Sequence, residues 1–414
     1  MNAEIICIGT ELLLGNIINT DATDVAQALS ELGISVFRYT AVGDNPERLT
    51  EVVQSAAKRA DLLITTGGLG PTLDDLSKET VAAALGKKLV FHQECADEIQ
   101  AFFDRVGSVM TPNNLQQAML PEGCTVLQNA WGTAPGCVFD AMGVKVIMLP
   151  GPPRECRAML KYRVVPYLKS LSNQTIHSRY LHIFGMGESR VEDALHDLME
   201  QSYNPTVAPY AKEGEVMIRV TAAAADEAAA ERMIEPVIEQ IRGTLGDLIY
   251  TEEYDTLEQT CLELLKSSGK TFAAAESCTG GHISKRITDL PGSSAVFNGG
   301  VVSYTEYSKR KLLGIPAQLI EAHGVVSAEV AEAMARSVRQ KLEADYGIGV
   351  TGLAGPDGDG SDKPVGLVYV ALFDGHQCWV KELRTRGERE RVRLSAAHNA
   401  FDMLRRALTD LPVV

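Results

Sequence analysis

Short apolar runs alternate with stretches of helical period from the N-terminus onward. Residues 3–9 (AEIICIG), 35–42 and 61–65 (DLLIT) read as strands, compact apolar runs bounded by turn residues. Two amphipathic helices separate them. In residues 23–33, Val25, Leu29 and Leu32 share one face, and in 46–60 Leu49, Val52, Val53 and Ala56 do the same. Strands and helices alternating at this spacing specify an α/β fold, a parallel sheet covered by helices on both faces. A further helix over 76–85 closes on Gly86. The pattern then changes: 188–202 and 224–245 read as helices, 206–211 and 215–222 as strands, a small α+β block. From Thr256 the first rhythm returns. Thr256 and Gln259 make a capping box before the apolar face of Leu257, Cys261, Leu264 and Leu265. Strands are expected at 271–275, 299–304, 346–351 and 365–372, with a helix after Gly281 and another over 328–343. Three domains follow: a parallel-sheet domain over 1–170, a connecting α+β domain over 177–250, and a second α/β domain over 255–414.

A chain of 414 residues is long enough for each of these to bury its own core. The net charge of −15 argues against a broad nucleic-acid-binding surface, which needs clustered Lys and Arg, but leaves room for small anionic ligands. No apolar stretch has the length of a membrane span. The eight cysteines are scattered without a CxxC pair, which fits neither a disulfide framework nor a zinc site and points to a reducing cytoplasm.

Ligands of open α/β sheets bind at the carboxyl ends of the strands, so the loops after Ile8 and Ile64 are the ones to inspect. The first carries Glu11, readable as a turn acid, and Asn19, a helix cap. The second reads TTGGLGPTLDD. Gly67, Gly68 and Gly70 would bring backbone amides close to a bound anion. Asp74 reads best as a helix N-terminal acid, and Asp75 either as a second such acid or as a ligand to a divalent cation bridging to phosphate. The spacing is not that of a P-loop.

In the last domain the run ESCTGG places Ser277 on a glycine-bordered strand-to-helix turn, with Tyr304 and Lys309 following. A lysine of lowered pKa can activate a serine without histidine, and a tyrosine can relay the proton. The competing readings are a helix-capping serine, a half-buried strand tyrosine and a solvated lysine. Cys278 is an alternative nucleophile. Amides around Thr279, Gly280 and Gly281 would supply an oxyanion hole or hold a phosphate.

The motifs GTELLLG, NTDA, VGDN, TTGGLGPTLDDL, NAWGTAPG and LPGPPRE, followed by ESCTGG, GGVVSYTEYSK, HGVVS, VTGLAGP and KPVGLVY, resemble the competence/damage-inducible CinA family in order and over nearly the whole chain. Small departures are Tyr307 and Cys156. The resemblance implies an N-terminal molybdopterin-binding-like fold, associated with metal-dependent hydrolysis of ADP-ribose at a site including Glu11 and Asp75, with Asp75 toward the metal. It implies a C-terminal nicotinamide-nucleotide amidase that converts nicotinamide mononucleotide to nicotinate mononucleotide and ammonia. There Ser277 attacks, Lys309 and Tyr304 manage the proton, and no cofactor is needed. Thr279, Gly280, Gly281, Thr351 and Gly352 become candidates for the ribose-phosphate end, and Arg389 for a phosphate contact, against a surface ion pair. A homodimer is expected, with no nucleic-acid or membrane partner. A regulatory nucleotide- or molybdopterin-binding protein without turnover at the N-terminal site is the alternative, and an adaptor tied to competence a third.

Overall fold

A computed structural model describes residues 1–72, 74–171 and 175–413. Their contacts divide into two compact units, Met1–Ser178 with Ala222–Arg232, and Arg179–Thr221 with Met233–Val414.

The first unit is built on β1 (Asn2–Ile8), β2 (Ser35–Val42) and β3 (Leu62–Thr66). Next come a separate pair, β4 (Leu89–Phe91) with β5 (Met119–Pro121), then β6 (Thr125–Leu127), β7 (Gly136–Ala141) and β8 (Val144–Leu149). The six-stranded sheet runs β2-β1-β3-β8-β7-β6. Its first four strands are parallel, whereas β7 and β6 are antiparallel additions at one edge. Side chains alternate across this sheet. Ile6, Ile8 and Leu63 face Leu49 and Val53 of the helix Pro46–Ala57. Ile5, Cys7 and Ile64 face Val25 and Leu29 of the helix Thr20–Glu31. That helix begins earlier than its apolar face suggests, because the Asn19 side chain accepts the Ala22 N–H and sets the start.

In the middle of the sequence, β9 (Thr175–Ile183), β10 (Thr206–Lys212), β11 (Glu215–Ala224) and β12 (Ile249–Thr251) form a four-stranded sheet in the order β10-β11-β9-β12. The single helix expected over 188–202 is two, Glu188–Ala194 and His196–Gln201. They are broken at Leu195, whose buried side chain is kept inward by non-helical backbone. Among the described residues no helix is long and apolar enough to cross a membrane.

The C-terminal sheet contains β13 (Phe272–Glu276), β14 (Phe297–Val302), β15 (Tyr346–Gly352), β16 (Leu367–Phe373) and β17 (Cys378–Arg384), ordered β14-β13-β15-β16-β17. The first three are parallel and the last two antiparallel. Helices Leu257–Ser268 and Arg389–Leu408 cover one face through Leu257, Cys261, Phe401 and Leu404. The helix Ala328–Lys341 covers the other through Val330, Met334 and Val338. Its approach is close. A Cβ on Gly347 or Gly349 would collide with the carbonyl oxygens of Ala335 and Ala331, so the strand backbone itself is the packing surface. Strand β14 ends at Val302, two residues before Tyr304, which therefore sits on a connecting loop and not on the strand expected over 299–304.

Candidate active site

The carboxyl ends of β13 and β15 lie side by side, with Glu276 paired to Val350. Ser277 follows immediately, its N–H bonded to the Val350 carbonyl at 3.0 Å. On the other side of β13, the Ser303 N–H bonds to the Glu276 carbonyl at 2.8 Å. The chain then enters the helix Glu306–Leu313, capped by Thr305, whose Oγ1 accepts the Ser308 N–H. One turn into that helix, Lys309 points back under the strand ends. Its Nζ lies 2.8 Å from Ser277 Oγ and donates to the Ser303 carbonyl at 3.0 Å. Only 2% of Lys309 is exposed. Burial lowers its pKa from the ordinary 10.5 to about 8, with Cys278 acting in the opposite sense. Among the described residues no carboxylate pairs with it. Ser277 and Lys309 are thus within hydrogen-bond distance of each other, the contact that a serine activated by a lysine requires.

Four other expectations change. Tyr304 Oη accepts from Arg389 Nη2 at 2.6 Å, and among the described residues it has no hydrogen bond to Ser277 or Lys309. With its side chain largely exposed, it orders the arginine and does not bridge the pair. Among the described residues Arg389 is in no ion pair: Nη1 donates to the Gly355 carbonyl at 2.6 Å, and the guanidinium borders the cleft. The N–H groups of Gly280 and Gly281 are not free to hold an anion. The Gly281 N–H is taken by the Glu276 carboxylate, the Gly280 N–H by the Ser277 carbonyl and the His282 N–H by the Thr279 carbonyl. Thr279, Gly280 and Gly281 accordingly lie behind the cleft, while Thr351 and Gly352 line it. The fourth concerns Cys278: burial pushes its thiol up to about 11, so it is protonated at neutral pH and poorly suited to attack.

Glu276 is the residue that the motif pattern left without a role. It is fully buried, and its carboxylate accepts from the N–H groups of Gly281, Ile283 and Ser284 and from Ser284 Oγ. One acid thus satisfies the N-terminus of the helix His282–Thr288 and fixes the turn that presents Ser277. The signal was legible, an acid at a strand end just before a glycine turn into a helix. The cleft has a volume of about 280 Å³ and is also bordered by Glu306, Asp357 and Asp359.

In the N-terminal domain, Glu11, Gly67, Gly68, Gly70 and Asp75 border one cleft of about 500 Å³ at the carboxyl ends of β1 and β3. Gly67 and Gly68 have left-handed φ values of 99° and 64°. A Cβ at Gly67 would strike the Ile8 carbonyl, and one at Gly68 would strike Ser77 Oγ. The N–H groups of Gly68, Leu69 and Gly70 have no acceptor among the described residues, so this loop can hold an anion. The helix after the loop is Ser77–Ala84, and neither Asp74 nor Asp75 caps it. Instead Asp75 Oδ2 accepts from the Thr72 N–H at 2.9 Å and from Thr72 Oγ1 at 2.5 Å, bracing the loop. Glu155 and Asp44 also border the cleft. Glu155 accepts from Asn129 at 2.6 Å and Asp44 from the Thr10 N–H at 2.8 Å. Among the described residues no three His, Cys, Asp or Glu side chains converge on a point that would hold a metal ion.

Two clefts at the carboxyl ends of parallel strands, one with a serine–lysine contact, belong to a multidomain α/β protein, an arrangement consistent with an enzyme family. Residues 4–170 match the "Probable molybdopterin binding domain" family, 178–251 the "Damage-inducible protein CinA KH domain", and 254–408 the "CinA C-terminal domain". A "CinA-like protein" of Dictyoglomus thermophilum is 48% identical over 411 residues, covering 99% of this chain and all of the relative. A "CinA-like protein" of Kosmotoga olearia is 45% identical over 414 residues, with both chains fully covered. A solved structure described as the protein CinA with unknown function from Thermoplasma acidophilum is 35% identical, covers 39% of this chain and 94% of its own, and aligns with a TM-score of 0.36. The chain belongs to the CinA family.

Proposed function

We propose that the C-terminal cleft hydrolyses the carboxamide of nicotinamide mononucleotide to nicotinate mononucleotide and ammonia. The observation that carries this reading is the buried Lys309 Nζ, 2.8 Å from Ser277 Oγ, with its pKa near the working range. In its neutral form Lys309 removes the Ser277 proton as Oγ bonds to the carboxamide carbon. The resulting ammonium returns that proton to the departing nitrogen as the C–N bond breaks, leaving an acyl-serine and ammonia. Water, deprotonated by the same lysine, then adds to the acyl carbon. Collapse releases the acid as the lysine's proton goes back to Ser277, and the acid then gives up its own proton to ammonia or water to become the carboxylate. Thr351, Gly352 and Arg389 border the cleft, and Arg389 is the cation proposed to meet the phosphate. The test is ammonia release from the mononucleotide by the intact chain and by Ser277→Ala. Full activity in Ser277→Ala would refute the mechanism, and loss in Cys278→Ala alone would move the nucleophile to the thiol.

The N-terminal cleft supports a second reading, hydrolysis of ADP-ribose to AMP and ribose 5-phosphate, carried by the three acceptor-free amides of the Gly68–Gly70 loop. Among the described residues, side chains alone do not make the three-ligand site that a divalent ion prefers, and no step is assigned to one. Release of AMP, abolished in Asp75→Ala, supports turnover. Binding of ADP-ribose without AMP release favours a regulatory nucleotide- or molybdopterin-binding site.

A further inference from the structure

The charges around the C-terminal cleft are unevenly committed. Five charged side chains border it: Lys309, Arg389, Glu306, Asp357 and Asp359. The lysine is engaged with Ser277, and the arginine with the Gly355 carbonyl and Tyr304, so neither cation is neutralised by an acid. Asp359 is held by the Ser361 N–H at 3.0 Å and by Ser361 Oγ. Asp357 has no hydrogen bond or ion pair among the described residues. Among the described residues Glu306 pairs only with Arg310, at 3.5 Å with both side chains about half exposed, a contact of little energetic weight.

The two less committed carboxylates border the same cleft as Ser277 and Lys309. Glu306 is the first residue of the helix Glu306–Leu313, one turn before Lys309 and on the same helical face. Asp357 follows the Gly355 carbonyl that fixes Arg389. Both have a bland explanation, Glu306 as an acid favoured by a helix N-terminus and Asp357 as a solvated loop residue. Yet carboxylates repel a phosphate. A cleft meant only for an anionic amide gains nothing from three of them beside its single fixed cation. The mixture suits a ligand with a positive ring at one end and a phosphate at the other.

Resting on the amidase reading above, we propose that Glu306 and Asp357 are specificity-determining residues that select N-substituted pyridinium carboxamides, in which the ring bears a positive charge, over uncharged carboxamides of the same shape. The oxidised mononucleotide and its 1,4-dihydro form differ by that ring charge while sharing ribose, phosphate and carboxamide. Arg389 meets the same phosphate in both, and Lys309 is common to every variant, so a change in the ratio on substituting the two carboxylates reads their preference for the ring charge.

The experiment measures binding of the two forms by calorimetry to the full chain carrying Ser277→Ala, which blocks turnover, with and without Glu306→Gln and Asp357→Asn. The expected result is tighter binding of the pyridinium form by about fivefold to tenfold, a ratio that shrinks as salt rises. The paired substitution should bring the ratio close to one by weakening the pyridinium form alone. Singly, each substitution gives a partial shift, which guards against a fold defect in the double variant. Equal shifts for both ligands, an unchanged ratio, or no binding of the pyridinium form would overturn the proposal. Ammonia release by the chain with Ser277 intact is a separate readout: its absence would sink the amidase reading, while its presence with an unchanged ratio would sink only this inference.

Discussion

Taking the Lys309 ammonium out of water lowers its pKa from 10.5 to about 8, and the shift acts on the fold as well as on the reaction. Between those two values the unfolded chain keeps a proton that the folded chain has released. Stability therefore rises with pH across that window, and the full cost, about 3 kcal/mol at most, is present below pH 8. Lys309→Met is accordingly expected to abolish ammonia release while leaving the melting temperature at pH 7 equal to or above that of the unaltered chain. At pH 10 the difference should narrow, as thermal unfolding at the two pH values would show. The same pKa sets the rate profile: kcat/KM should climb as Lys309 loses its proton and level off above about pH 8. Tyr304 behaves differently, because its hydroxyl holds Arg389 and not the lysine. Tyr304→Phe should raise KM for the phosphorylated substrate several-fold and leave the pH midpoint in place, whereas a displaced midpoint would restore the tyrosine to the proton path.

The strand-to-helix turn from β13 depends on one buried acid. Glu276→Ala would strip acceptors from three backbone N–H groups and the Ser284 hydroxyl at the start of His282–Thr288. Each such orphan costs about 1–3 kcal/mol, so a loss of at least about 3 kcal/mol in chemical denaturation is expected. Glu276→Gln, which keeps an acceptor oxygen, should lose less. The elements of this region were legible where apolar period is strong, as in Leu257–Ser268 and β15. They were less legible where hydrogen bonding decides. Asn19 moved a helix start, Leu195 broke a helix, and Glu276 consumed the amide that made Gly281 resemble an anion site. Ser277 and Lys309 could be paired in advance because both stand in compact motifs. The position of Tyr304 could not, since it depends on Arg389, distant in sequence, reaching across the cleft.

At the scale of the whole chain, two clefts of different chemistry sit in different α/β domains, one offering backbone amides and the other a serine–lysine pair. The proposed C-terminal mechanism calls on Ser277, Lys309 and water. A chelator added to the intact chain should leave ammonia release unchanged, and an activity that disappears with chelator and returns with a divalent salt would count against the serine–lysine mechanism. Asp75→Ala alters the brace of the Gly67–Gly70 loop and should spare the amidase, which a side-by-side assay of both reactions would show. The most direct test of the central claim is ammonia release from nicotinamide mononucleotide by the full chain and by Ser277→Ala under identical conditions. The account predicts stoichiometric ammonia and nicotinate mononucleotide from the former and a loss of at least about a thousandfold in the latter. Equal rates from the two proteins, or no ammonia from the unaltered chain, would contradict it.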